Sequence, residues 1–187
     1  QKQLPKMEWV AQQPQDSPVD FVHARYQPET FDEIPQMWGH NQMDAIGMVL
    51  AMFGSQGRGR AFFSSEQEYV RFINGIVGYA ERLHWWESHD YGIWEEGPEL
   101  HSSSLGAILR GMTEIQNLQR HEKNGFRLKD EHLEFGREKL GGLLPRESRS
   151  DSPNPDRNRP FDLAQLGLIW PFRVVNGEQA EKITEGV

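Results

Sequence analysis

Apolar residues recur at spacings of three and four along several stretches of this 187-residue chain. Sustained strict alternation is almost absent, so the pattern is that of helices each burying one face. Between His40 and Phe53, the residues Met43, Ile46, Gly47, Leu50 and Phe53 mark the first such helix. The three glycines between Gly54 and Arg60 should break it. Ser65 followed by Glu68 has the form of a capping box, which predicts a second helix from Ser64 or Ser65 to about Trp85. Its buried face would hold Tyr69, Phe72, Ile73, Ile76, Tyr79, Ala80 and Leu83. Leu105, Ile108, Leu109, Met112, Ile115 and Leu118 predict a third helix, with Ser102 or Ser103 as its cap. A fourth covers about Arg127 to Leu140, and a fifth about Asp162 to Ile169, stopped by Pro171. Glu178 to Thr184 reads as one further helix beginning and then stopping. Residues 1–35 read as loop, with Asp20 to Tyr26 as a short extended stretch. The fold class is therefore all-α, with helices of alternating direction and long loops at one end.

Composition narrows the functional classes. With 28 acidic against 20 basic residues, the net charge of −8 disfavours nucleic acid and anionic membrane surfaces as partners. No run approaches the roughly 18 apolar residues of a membrane span. No signal peptide is legible either, and the expected compartment is the cytoplasm. There is no cysteine, hence no disulfide and no thiolate chemistry. Only 36% of residues are hydrophobic and the mean hydropathy is −0.73, lean for a self-sufficient core of this size. Together with a first residue, Gln1, that is not Met, this suggests a piece of a longer chain.

The segment from His84 to Gly97 packs three of the six tryptophans and four acidic residues into an expected loop. Aromatic rings stack on the C–H faces of sugars, and carboxylates accept hydroxyl hydrogen bonds or exchange protons with a glycosidic oxygen. A glutamate beside Trp94, with Glu96 adding like charge, would have its pKa raised, as a general acid requires. The same pattern also fits an exposed acidic loop whose aromatics turn into the core. The segment Trp38 to Asp44 places an aromatic and several polar groups at a helix start, where they can cap the helix or line a pocket.

Taken together, Met37 to Ala45 and Tyr91 to Gly97 resemble the corresponding motifs of glycoside hydrolase family 15. That family contains the glucoamylases, and the regulatory α and β subunits of phosphorylase kinase are among its relatives. The likeness extends to Val22–Tyr26, to Glu99–Gly106 and to Leu143–Arg146, in the same order and at similar spacing, over roughly residues 20–175. It implies a partial (α/α)6 barrel spanning residues 1–187 without its first and last helices, and an active site among the loops at one end. It further implies inverting hydrolysis of α-glucosidic bonds, with α-glucan or a glucose oligosaccharide as partner and no cofactor. Glu95 would match the general acid, Glu96 the carboxylate that holds sugar hydroxyls, and Trp38 an aromatic against the sugar, with Trp94 and His40 as further substrate contacts. An inverting pair has carboxyls roughly 6.5–9.5 Å apart. No second carboxylate of this chain matches the family's base, and no Arg-Asp motif for the non-reducing sugar is present.

The resemblance also carries a non-catalytic reading, a regulatory scaffold of the phosphorylase kinase type. Glu96 leans towards the hydrolases, whereas His40–Asp44 and the Leu-Pro-Arg block lean towards the kinase subunits. Half a toroid would expose apolar faces, so the rest of the same domain or parent chain is an expected partner. His84, His89, His101, His121 and His132 lack the spacing of a helical zinc site, and no metal is expected. The Gly54–Arg60 stretch lacks the Lys-Ser/Thr ending of a phosphate loop. Residues 145–160, with four prolines and four arginines, read as an exposed loop.

Overall fold

The computed structural model describes residues 3–15, 17, 20–95, 97–121, 125–149 and 157–187, without the side chains of residues 56–58. Among the described residues every regular element is helical: α1 (Leu4–Ala11), α2 (Met43–Gly54), α3 (Glu66–Arg82), α4 (Ser102–His121), α5 (Asp130–Leu143), α6 (Leu166–Ile169) and α7 (Gly177–Gly186). Three isolated antiparallel bridges occur, but no strand. The all-α class expected from the periodicity is what the chain adopts. None of these helices is long and apolar enough to cross a membrane.

Helices α2 and α4 lie side by side and parallel, because glycines let their backbones meet. A Cβ on Gly47 would stand 2.3 Å from the backbone nitrogen of Ile108, and one on Gly111 only 2.6 Å from the carbonyl oxygen of Gly47. Gly54 likewise sits against Ile115, where a Cβ would be 2.7 Å from Cδ1. The register Gly47 to Ile108 and Gly54 to Ile115 makes the two helices run in the same direction. Between them α3 returns along the bundle, and α5 returns after α4. Leu50, Ile73, Ile76, Leu105, Ile108 and Met112 fill the core they share.

Local sequence accounts for where the helices start. Ser65 Oγ accepts from the Glu68 N–H (3.1 Å), and the Glu68 carboxylate reaches back to the Ser64 N–H (2.9 Å), one residue earlier than a strict capping box. Asp162 and Gln165 form a reciprocal box ahead of α6, as do Asn176 and Gln179 ahead of α7. The glycine-rich stretch after α2 ends the α-helix but tightens into a 3-10 helix, Ser55–Phe62, instead of opening into a loop.

Two expectations are corrected. Residues 1–35 are not all loop: α1 forms with Pro5 in its first turn, where a missing N–H costs nothing, and buries Leu4, Met7 and Val10. It packs on α3, where Gly75 leaves room for Leu4, and Arg71 pairs with Glu8 through two 2.6 Å bonds. The buried Arg82 guanidinium then holds the chain leaving α1 by donating to the carbonyls of Gln13 (3.1 Å), Pro14 and Ser17 (3.0 Å). In the stretch expected to be exposed, Glu147 and Ser148 are buried.

Substituting Gly47 by Ala should destabilise the fold by about 1–3 kcal/mol, since neither backbone can yield without overpacking strain. Gly141→Ala in α5, where a Cβ would meet nothing within 4 Å, should instead stabilise by up to about 1 kcal/mol. Urea denaturation of both variants checks this, and a neutral Gly47→Ala would refute the backbone contact.

Candidate functional site

The five sequence blocks converge at the end of the bundle where α2 and α4 begin. Asp90 Oδ2 accepts from the Met43 N–H (3.0 Å), so a loop carboxylate caps α2. Asn41 donates to Ser88 Oγ (3.0 Å) and to the His89 carbonyl (2.7 Å), and its own carbonyl accepts from the Tyr91 N–H (3.1 Å). Gly39 lies flat on the Tyr91 ring, where a Cβ would be 2.3 Å from Cγ. From the other side, Ala24 N–H donates to His40 Nδ1 (3.3 Å), and the His40 ring stacks on His23 with centroids 3.8 Å apart.

Helix α4 starts at Ser102 itself, so neither Ser102 nor Ser103 is the cap. The cap is Glu147. Its carboxylate accepts from Ser102 Oγ (2.7 Å), the Ser103 N–H (3.1 Å) and Ser103 Oγ (2.5 Å). A negative charge there also suits the positive end of the helix dipole. Gln165 closes the cluster by donating to Ser102 Oγ (3.1 Å) and the Pro145 carbonyl (2.9 Å).

Three buried titratable groups stand together behind this cap. Burial pushes the Asp90 carboxyl up to about 7, against the opposing pull of His101 and of the Ser104 hydroxyl, which lies near it but outside hydrogen-bond geometry. Burial works against a charged His101, yet the Glu147 carboxylate (3.5 Å) and the Asp90 charge outweigh it and hold the imidazole above its ordinary value. Asp44, 8% exposed in the first turn of α2, is also raised by burial, and its Oδ1 has no partner. The nearby Glu95 charge raises it further.

Two clefts open on either side of Asp44 and Ile93, which line both. One, of about 620 Å³, is walled by Met48, Met52, Trp94, Leu163 and Phe172. The other, of about 490 Å³, receives His23, His40, Gln42 and Glu95. The expected site residues are therefore divided. Trp94 is 52% exposed, lines the larger cleft and donates from Nε1 to Asp162 Oδ1 (2.7 Å). Glu95, exposed and held at φ +55°, lines the smaller cleft with His40. Trp38, 40% exposed, lines neither and carries the Arg25 guanidinium 4.2 Å above its ring. Glu96 lies outside the described residues.

Two of the three tryptophans in the aromatic segment belong to the core. Trp85 packs on α5, where a Cβ on Gly136 would be 2.1 Å from its ring. Trp86 lies against His132, with centroids 4.5 Å apart, and His132 Nδ1 meets Glu81 at 2.9 Å. The sequence pattern placed Asp44 in a segment that can cap a helix or line a pocket and offered His101 only as a metal ligand, and it gave no individual role to Asp90 or Glu147. For Asp44 a signal was available, since it is the sole charged residue of an otherwise apolar helix, MDAIGMVLAMFG.

The protein so defined is an all-α chain with parallel core helices, whose N-termini are capped by buried carboxylates beside two clefts. No protein-family model matches it. It is similar to the phosphorylase b kinase regulatory subunit alpha, liver isoform, of Takifugu rubripes, with 30% identity over an alignment of 182 positions that covers 90% of this chain and 14% of that protein. A Caenorhabditis elegans protein named "Probable phosphorylase b kinase regulatory subunit alpha" is 28% identical over an alignment of 166 positions that covers 81% of this chain and 13% of that one. The chain thus spans about one seventh of the length of these relatives.

The Asp90 pKa makes stability fall with rising pH. Between about pH 4 and pH 7 the unfolded chain has lost this proton while the folded chain keeps it, so the contribution is full below the unfolded value and gone above the folded one. His101, also raised, loses its contribution in the same direction. Asp90→Asn keeps an acceptor for the Met43 N–H and should flatten the fall, read as urea midpoints across that window. An unchanged slope would remove Asp90 as its source. Glu147→Ala should cost about 2 kcal/mol or more, because it strips a buried cap.

Proposed function

We propose that this chain is part of a regulatory or scaffold protein of the phosphorylase kinase alpha type and does not itself hydrolyse glycosidic bonds. The observation that carries this is the similarity to regulatory subunits over nine-tenths of the chain. The geometry is in keeping with it. Glu95 stands exposed, whereas an acid that protonates a leaving group needs a desolvated carboxyl. Among the described residues the one other carboxylate lining its cleft is Asp44, which is buried in the first turn of α2.

In this reading α2 to α5 are two hairpins of a glucoamylase-like (α/α)6 toroid, with α2 and α4 in the inner ring and α3 and α5 in the outer one. The parallel direction of α2 and α4 supports that placement. So does the open side of α2: Met48 and Met52 are 43% and 58% exposed on a helix that is apolar nearly all round, which a neighbouring inner helix of the parent chain would cover. The hydrolase reading survives in one form, with Glu95 as acid, Glu96, Trp38, Trp94 and His40 as sugar contacts, and a base from elsewhere in the parent. What favours it is the open cleft that Glu95 shares with His40.

Glucose release from maltose, isomaltose and trehalose decides between them, measured for the parent protein and its Glu95→Gln variant with the anomer followed by NMR. No release by either, from folded protein, is expected. Release of β-glucose that drops a hundredfold or more in the variant would overturn the regulatory reading and assign Glu95 as the acid.

A further inference from the structure

We propose that the smaller cleft is a binding site for an organic cation, an ammonium or guanidinium group carried on a hydrocarbon body. Three residues that line this one cavity of about 490 Å³ each keep a buried side-chain atom without any partner: Gln3 Oε1, His23 Nδ1 and Asp44 Oδ1. They come from separate parts of the chain, ahead of α1, from the segment before α2 and from the first turn of α2. Leaving a buried polar atom unpaired is costly, and a set of them around one cavity is what a ligand-shaped gap leaves behind.

All three are acceptors. His23 Nε2 faces the Glu33 carboxylate at 3.5 Å, which keeps the proton on that nitrogen and leaves Nδ1 a lone pair. Of the donors at the rim, Gln42 Nε2 donates to the Gly39 carbonyl (2.9 Å) and the Tyr26 hydroxyl donates to the His23 carbonyl, while His40, whose Nδ1 accepts from the Ala24 N–H, keeps its proton on Nε2. The three unpaired acceptors call for N–H groups on the ligand.

Charge selects among such ligands. Asp44 and Glu95 both line the cleft and repel one another, and among the described residues no lysine or arginine lines it. A polyol would satisfy the acceptors but leave that repulsion intact, whereas a cation relieves both. The remaining wall is apolar and aromatic, with Val22, Ile46, Phe72, Ile76 and Tyr79, and suits a hydrocarbon or aryl body under the charged head. This inference does not depend on the regulatory reading, since neither catalysis nor its absence enters it.

Calorimetric titration of the 187-residue chain with 2-phenylethylamine is the test, set against the neutral 2-phenylethanol, the anionic 3-phenylpropionate and glucose. The amine should bind saturably, at least tenfold more tightly than the alcohol, with no binding of the acid. Asp44→Asn should weaken the amine tenfold or more without changing the alcohol. Gln3→Met, at the edge of the cleft and away from the helix interior, provides a second variant and should weaken the amine severalfold. Equal affinity for amine and alcohol, tighter binding of glucose than of the amine, or wild-type amine affinity in both folded variants would each overturn the proposal.

Discussion

Everything at the loop end of this protein rests on the backbone contact between α2 and α4. Gly47 and Gly111 bring the two helices closer than any side chain would allow, and that closeness places Met43 and Ser102, their first residues, side by side. Because the helices are parallel, both present their free N–H groups to the same region, and both need acceptors there. An antiparallel pair would have sent one of those demands to the opposite end.

The chain meets the two demands with carboxylates from distant segments, Asp90 for α2 and Glu147 for α4. A serine cap is local and ties down only its own helix. A carboxylate reaching in from another loop fixes that loop as well, and this is how the segment after α3 and the segment after α5 acquire defined positions without any strand. The cost is burial of acidic groups, visible in the raised Asp90 pKa and softened by His101 between the two carboxylates. The architecture at this end is thus an electrostatic compromise imposed by a packing decision made one helical turn deeper.

This division explains what was legible in the sequence. Helices α2, α3 and α4 declare themselves because a long buried face repeats every three or four residues, and Ser65 with Glu68 marks a start by purely local contacts. Helix α1 escaped because it is eight residues long and buries three of them, too few to show a period among prolines. The Ser102 and Ser103 caps were misread for a different reason: serines before an apolar run look the same whether they cap or are capped, and only the fold brings Glu147 to them. Likewise the pattern could not say which tryptophans of the aromatic segment turn inward. Gly136, about fifty residues away in α5, is what admits Trp85 to the core.

Asp44 shows the same logic at the level of function. On helix α2 it is the one residue that burial alone cannot justify, since the apolar neighbours on either side gain from contact with α4 or from whatever covers Met48 and Met52. Its backbone position follows from the α2–α4 contact, one oxygen of its buried carboxyl has no partner, and its side chain lines both clefts. A carboxylate buried to that degree has little bulk water to pair with. What pairs with it is set by the geometry of the clefts it lines rather than by solvent.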